Sequence, residues 1–431
     1  MRRLTAEELS TRRLSFPRDA TETAACILAD VRKRGDDAVR EYSLAFDGVA
    51  PEAFRVERRI LEEAGGRLDR RLEADLELAA SHIRRFAGAQ LEAYKNFEVE
   101  IKPGVFSGQV VVPIERAGIY VPGGRHPLIS SLLMGAVTAK KAGVAEIAVF
   151  TPPGQMGRPS DAILAAARLC GVEEVQQIGG AQAVAAMAYG TESVKKVDKI
   201  FGPGNVYVAA AKRLVAGDVG VDFVAGPTEL MIVADRSASP LFIAADLVAQ
   251  AEHDPLASAI LVSDSEDLAK DVDLQVEECL RRVRTAEVAR RALETRGGII
   301  VLPSLEEALE LANEFAPEHL GLYGGMAERL APKAINFGTL FLGEHAAEAL
   351  ADYSSGLNHI LPTQRGARFT GGLSVRDFLK IQTTLRVTHE GLASIGPAAC
   401  RLAEVEGLDG HRRSIRLRLA DFIGKEAGLN D

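Results

Sequence analysis

From residue 118 to residue 342 the chain alternates short apolar runs with amphipathic stretches of helix length, and that rhythm narrows the folds open to it. Gly118-Ile-Tyr-Val121 reads as a strand entering the tight turn Pro122-Gly-Gly124. A helix over 129–141 leads to a strand over 146–150, and a helix over 161–169 leads to a strand over 175–178. The turn Gly179-Gly180 opens a helix over 181–189. A strand around 197–201 ends in Gly202-Pro-Gly-Asn205 and is followed by a helix over 206–214. Strands alternating with helices of this length predict a parallel, doubly wound sheet, with a ligand crevice at the C-terminal ends of its strands.

A second series repeats the rhythm. It comprises a strand over 230–234, a helix opening at Ser239, a strand over 258–263, one long helix over 266–296, a strand over 298–302, a helix over 305–315, and strands over 320–323 and 339–342. The expected class is α/β, with two Rossmann-like parallel-sheet domains, a helical N-terminal region and a helical C-terminal tail. The expected boundaries are an arm over 1–20, a first α/β domain from 21–120 and 229–373, a second over 121–228, and a tail over 374–431 with a strand-like piece at 414–419. Before the first sheet, 21–42 has helical spacing. A long helix over 67–94 sets Leu72, Leu76, Ala79, Ile83 and Phe86 on one side.

The totals exclude several classes. A net charge of −9 over 431 residues, with no basic tract interleaved with aromatics, argues against a nucleic-acid binder. No apolar run reaches membrane-spanning length, and the opening MRRLTAEELSTRRL lacks the apolar core of a signal peptide, so a cytoplasmic protein is expected. Cys26, Cys170, Cys279 and Cys400 are scattered without a CxxC pair, which disfavours a zinc finger or a disulfide framework; three of the four sit in helix-like apolar settings, which fits small core residues better than catalysis.

Chemistry is concentrated in a few places. In the helix after Ser239, that serine suits the cap and Pro240 the first turn, while Phe242, Ile243, Leu247 and Val248 form an apolar stripe. Asp254-Pro255 supplies the stop. Gln250 and His253 are three residues apart, about 60° around one face, so an amide oxygen and an imidazole could begin a metal site. A stabilising histidine at a helix end is the plainer alternative. Glu318-His319 follows Pro317 on a loop between helix and strand. It pairs an acid with a base suited to proton transfer, or is simply a solvated pair. Asp352 and His359 offer a hard oxygen and another imidazole, or turn residues. His411 stands beside a glycine near the C-terminus. The glycine turns suit phosphate, but no GxGxxG follows any strand, so a dinucleotide does not follow from that motif.

Taken together, Tyr120-Val-Pro-Gly-Gly, Gly179-Gly-Ala-Gln182-Ala, Phe201-Gly-Pro-Gly-Asn205, Ala225-Gly-Pro-Thr228-Glu, Gln250-Ala-Glu-His253, Ala316-Pro-Glu318-His319-Leu, Asp352-Tyr, Asn358-His359-Ile-Leu-Pro-Thr and Glu406-Gly-Leu-Asp-Gly-His411 resemble the histidinol dehydrogenase family along nearly the whole chain. The resemblance implies oxidation of L-histidinol to L-histidine through histidinal with two NAD, the last step of histidine biosynthesis. It implies Zn2+, one per site, on Gln250, His253, Asp352 and His411. The metal would position the substrate through its imidazole and amino nitrogens. His319 would be the general base and Glu318 the activator of water. Substrate contacts would come from Thr228, Gln250, His253, His319, Asp352, His359, Glu406 and His411, and NAD contacts from Tyr120, Gln182 and Asn205. It further implies a homodimer with shared sites, the tail carrying Glu406 and His411 to the partner.

Two positions depart from the family pattern. Thr228 stands where serine is usual, keeping a hydroxyl and adding a methyl. Arg125-His126-Pro127 follows the glycines where small residues are usual, placing a cation and an imidazole beside the expected cofactor crevice. They leave open a paralogous NAD-dependent dehydrogenase of another small amino or sulfonated alcohol. A catalytically silent α/β binding protein is disfavoured by the intact Glu318-His319 pair and ligand set, and zinc-dependent hydrolysis is separable by a requirement for NAD.

Overall fold

The computed structural model describes residues 1–10, 18–123, 127–154, 157–223 and 226–426. Two compact units emerge, one from Met1–Leu91 with Ile114–Phe378, the other from Glu92–Pro113 with Leu379–Asp431. The smaller unit contributes β1 (Phe97–Lys102) and β2 (Val105–Pro113). The larger contains β3 (Arg116–Tyr120), β4 (Glu146–Phe150), β5 (Glu174–Gln176), β6 (Lys199–Phe201), β7 (Gly220–Val221), β8 (Glu229–Ala234), β9 (Ser258–Ser263), β10 (Gly298–Val301), β11 (His319–Tyr323) and β12 (Thr339–Leu342). A final strand, β13 (Leu379–Val387), returns to the smaller unit.

The larger unit is built on two five-stranded parallel sheets with orders β5-β4-β3-β6-β7 and β10-β9-β8-β11-β12. Each is a Rossmann-type arrangement. The chain steps outward from the first strand, then crosses to its other side, so each order reverses next to the first strand. Every residue of β8, β9 and β11 is buried, as expected of parallel strands covered on both faces. The helix Gly180–Tyr189 is apolar apart from Gln182 and its ends, and is buried from Ala181 to Ala188, packing with Tyr120, Ala148 and Ile200 in one core. The second sheet has a core on each face, one built on Leu230, Ile232 and Leu247, the other on Met231, Val233 and Leu309.

The structure corrects several expectations. The stretch over 21–42 is divided between the helices Arg18–Arg34 and Asp36–Asp47, with Gly35 at φ 56° between them. The stretch over 266–296 is also two helices, Glu266–Leu280 and Ala286–Thr295. The helix Arg70–Leu91 buries Leu76, Ala79, Ala80, Ile83 and Ala87, whereas Leu72 and Phe86 are exposed. The tail is not purely helical. Leu379-Lys-Ile-Gln-Thr-Thr-Leu-Arg-Val387 alternates apolar with polar residues and pairs antiparallel with β2, Leu379 opposite Pro113 and Val387 opposite Val105. Conversely, residues 414–419 belong to the helix Asp409–Glu426. Ile415 and Leu419, one turn apart, close over Gly396, where an added Cβ would meet Leu419 at 3.2 Å.

Candidate active site

The second sheet presents its chemistry at the N-terminal ends of its strands. The helix Leu305–Phe315 ends at Ala316, a non-glycine residue held at φ 53°. Pro317 follows, then Glu318, and His319 begins β11. The loop is not solvated: Glu318 is 6% exposed and His319 3%. Left-handed backbone at a β-carbon residue costs energy, and here it turns the chain so that both side chains enter the interior.

Neighbouring β8 fixes them. The His319 ring nitrogen Nδ1 lies 3.0 Å from the carbonyl oxygen of Glu229. A carbonyl only accepts, so Nδ1 carries the proton and Nε2 holds the lone pair. Nε2 is buried without a hydrogen-bond partner. Burial pushes the imidazole down to about 4, so it is neutral at pH 7. Glu318 Oε2 accepts from the Thr228 hydroxyl at 2.5 Å and from the Glu229 N–H at 2.9 Å. Burial raises its carboxyl well above the usual range despite those two donors, with the nearby carboxyls of Glu229 and Glu348 adding to the effect.

Gln250 joins through the same hydroxyl. Its Nε2 donates to Thr228 Oγ1 at 2.6 Å, and its buried Oε1 has no partner. Gln250 is in the last turn of the helix Pro240–Ala251; His253 lies just beyond that helix, not within it. Ser239 does not cap by its side chain; its N–H is held by the Glu344 carboxylate instead. Phe242 is exposed, so the helix buries a stripe without it.

The short helix Glu348–Tyr353 brings two carboxyls to one face four residues apart. Glu348 Oε1 is 3.6 Å from His319 Nε2, and burial raises the Glu348 carboxyl to about 8, with Asp352 next in effect. Asp352 Oδ2 is 3.8 Å from His253 Nε2, and Asp352 Oδ1 is 3.5 Å from His359 Nδ1. The His359 Nδ1–H donates to the Asp352 carbonyl at 3.0 Å, and Nε2 is 3.1 Å from Ser131 Oγ. Burial lowers the His359 imidazole as it does that of His319. One ligand atom each from His319, Glu348 and Asp352 lie within 4.8 Å of one another. The sequence motifs do not include Glu348, although its spacing to Asp352 is a readable sign.

The orphaned Gln250 Oε1, and the His253 imidazole 3.8 Å from the Asp352 carboxylate, are donors of the kinds a zinc ion takes. Glu406 and His411 belong to the smaller unit, Glu406 at the end of the helix His389–Val405 and His411 in the helix Asp409–Glu426, both exposed.

The first sheet offers the second part of the chemistry. Tyr120 ends β3, and its hydroxyl accepts the Gly180 N–H at 3.1 Å while burial raises the phenol to about 12. Gln182 is 1% exposed, and neither its Oε1 nor its Nε2 has a partner. Asn205 caps the helix Val206–Val215, accepting from the N–H groups of Tyr207 and Val208 at 3.0 and 3.1 Å. Tyr120 is at the C-terminal end of β3, and Gln182 and Asn205 are at the starts of the helices that follow β5 and β6, the side of the sheet where a ligand crevice is expected. Arg125 and His126 lie outside the described residues.

A family model described as Histidinol dehydrogenase matches residues 10–419. The histidinol dehydrogenase of Methanothermobacter thermautotrophicus is 46% identical over 403 residues, 94% of each chain. The chain belongs to the histidinol dehydrogenase family. The enzyme of that name from Agrobacterium fabrum is 46% identical over 415 residues, 95% of each chain. The crystal structure of histidinol dehydrogenase from Elizabethkingia anophelis superposes with a TM-score of 0.92 at 36% identity, covering 96% of each chain. Membership makes this chain a dehydrogenase, and the two parallel sheets described above are the fold it shares with that structure. No helix among the described residues is long and apolar enough to cross a membrane.

Proposed function

We propose that this histidinol dehydrogenase family member oxidises L-histidinol to L-histidine by way of L-histidinal, with two NAD and one zinc ion per site, as the last step of histidine biosynthesis in the cytoplasm. The observation that carries the reading is the buried Glu318–His319 pair. Its imidazole is neutral, held in one tautomer by Glu229, and left with a free Nε2. A base for an alcohol proton needs that state at neutral pH.

Gln250, His253 and Asp352 would hold the metal, with the partner's His411 completing the set. The family membership and the exposure of His411 in the smaller unit support that assignment. Zinc, when bound, would supply a Lewis-acidic anchor for the imidazole and amino nitrogens of the substrate, and NAD the hydride acceptor for each oxidation. Tyr120, Gln182 and Asn205 would contact the cofactor. His359 and Thr228 would line the substrate site, joined by the partner's Glu406.

His319 Nε2 takes the hydroxyl proton in the first oxidation, gives it up to solvent, and takes a hydroxyl proton of the hydrated aldehyde in the second. Its fixed ring spares it reorientation between the two steps. Glu318, with its proton affinity raised by burial, takes a proton from the water that hydrates the aldehyde. Thr228 and the Glu229 N–H hold the Glu318 carboxyl through the cycle.

The deciding experiment counts NADH per L-histidinol with purified, metal-analysed protein. Two NADH per substrate, abolished by chelation and restored by zinc, is the expected result. Zinc-loaded protein that binds NAD but leaves histidinol untouched, or metal-free protein that turns it over, would overturn the reading.

A further inference from the structure

The cofactor crevice holds an acidic side chain that the two oxidations do not use. Asp47 is the last residue of the helix Asp36–Asp47, and the left-handed Gly48 follows it. A carboxylate at a helix C-terminus opposes the helix dipole. Its Oδ2 is buried without a hydrogen-bond partner, and burial raises the carboxyl to about 6. A group with these disadvantages and no internal compensation is a functional candidate.

Its surroundings say which ligand it faces. Asp47 lies against the Gly179-Gly180 turn: a Cβ built on Gly179 would stand 3.1 and 3.2 Å from its two carboxylate oxygens. Gln182 approaches the same turn from the other side, its Oε1 2.6 Å from a Cβ built on Gly180. That amide is 1% exposed with both polar atoms unpartnered. Pro152 packs there as well, its Cβ 2.7 Å from the Cβ built on Gly179. The two glycines thus let three side chains close on the turn, and two of them, Asp47 and Gln182, have unused hydrogen-bonding capacity.

Position in the sheet narrows the ligand further. The turn follows β5, the third strand of an order that runs third, second, first, fourth, fifth. In sheets of this order a dinucleotide lies across the crevice at the reversal, and a carboxylate accepts from its ribose 2′-hydroxyl. Asn205, after β6, is on the opposite side of the reversal. The N-terminus of the helix Gly180–Tyr189 alone would suit phosphate, but a carboxylate beside Gly179 repels an anion and accepts from hydroxyls.

We propose that Asp47 accepts the adenosine ribose hydroxyls of the cofactor and sets a preference for NAD over NADP. This assignment rests on the reading of the protein as an NAD-dependent enzyme. The 2′-phosphate of NADP would meet the Asp47 carboxylate at close range, whereas the free diol of NAD satisfies it.

The test is a fluorescence titration of the full-length, zinc-loaded protein with NADH and with NADPH, for wild type, Asp47→Asn and Asp47→Ser. Loss of a charge-assisted hydrogen bond should weaken NADH by about tenfold or more. The NADPH-to-NADH ratio of dissociation constants should fall at least as far in Asp47→Ser, with zinc content and KM for histidinol unchanged and the melting temperature no lower than wild type. Equal weakening of both cofactors, or an unchanged ratio, would overturn the assignment of Asp47 while leaving the NAD reading intact. Wild-type protein that binds neither nucleotide would overturn both.

Discussion

Thr228 Oγ1 lies 2.5 Å from Glu318 Oε2 and donates to it, while its remaining lone pairs receive Gln250 Nε2 at 2.6 Å. One hydroxyl thus orients both the expected water-activating carboxylate and the expected metal-binding amide. The second contact turns Gln250 Oε1 into the free atom of that amide. Serine offers the same hydroxyl, so Thr228→Ser should keep zinc content and turnover within a few-fold of wild type. Thr228→Val keeps the shape and removes the hydroxyl, leaving Gln250 Nε2 unpaired and Glu318 Oε2 with the Glu229 N–H alone. It should cost about 1 to 3 kcal/mol of stability and lower zinc occupancy. Metal analysis and thermal melts of the two variants side by side measure both effects, and full zinc retention by the valine variant would contradict the relay.

Glu318 and His319 are adjacent but face different tasks, and stoichiometry separates them. His319→Asn removes the base of both oxidations and should lower turnover by about 100- to 10,000-fold with zinc retained. Glu318→Gln keeps an oxygen to accept from Thr228 and the Glu229 N–H but loses the capacity to take a proton from water. Its first oxidation should outlast the second, so NADH per histidinol should fall from two toward one while an aldehyde accumulates. Equal loss of both oxidations in Glu318→Gln would count against the division of labour.

The two sheets were legible because their signal is local. Runs such as Ser258-Ala-Ile-Leu-Val-Ser263 and 305–315 carry their own period and their own stops, and both occur at those bounds. The break between the helices Glu266–Leu280 and Ala286–Thr295 was hidden because no glycine or proline announces it. Residues 414–419 alternate like a strand, yet the contacts of Ile415 and Leu419 with Gly396 hold them as a helix; tertiary packing overrode a short-range pattern. In the site, motif resemblance picked out Glu318 and His319, but their burial depends on the left-handed Ala316, which sequence does not display. Glu348 is marked in the sequence only by its spacing to Asp352. Its partner is His319, and residues 29 apart meet only once β11 and the helix Glu348–Tyr353 are in place.

Glu229 carries a stability signature. Its side chain is buried, one carboxylate oxygen accepts the Gln364 N–H at 3.2 Å, and the other has no partner. Burial raises its carboxyl to about 7, well above an unfolded value of 4.5. The folded state therefore binds the proton more tightly. The stabilisation is complete below pH 4.5 and is lost as pH rises through 7, a total of about 3 kcal/mol. Glu229→Gln has no such titration. Denaturant unfolding at several pH values should show wild type losing about that much relative to the variant between pH 4.5 and pH 8. Parallel pH curves for the two proteins would mean that Glu229 stays charged in the fold.

The expected crossover of the tail makes the most discriminating prediction. Glu406 and His411 are exposed in the smaller unit, while Gln250, His253, Glu318, His319 and Asp352 are in the larger. If each site takes its tail residues from the partner, a Glu318→Gln/His319→Asn double variant still carries a sound tail, and a His411→Ala variant still carries a sound core. Each homodimer should be inactive. A heterodimer of the two would hold one site with both halves intact and one with both damaged. Random re-association of equal amounts should then restore about a quarter of wild-type activity, since about half the dimers are mixed and each has one working site. Mixed dimers isolated by two different affinity tags should reach about half. No recovery in dimers verified as mixed would place His411 in the site of its own protomer or outside the metal set, and zinc analysis of His411→Ala alone distinguishes these: lost zinc keeps His411 as a ligand within its own chain, and retained zinc removes it from the set.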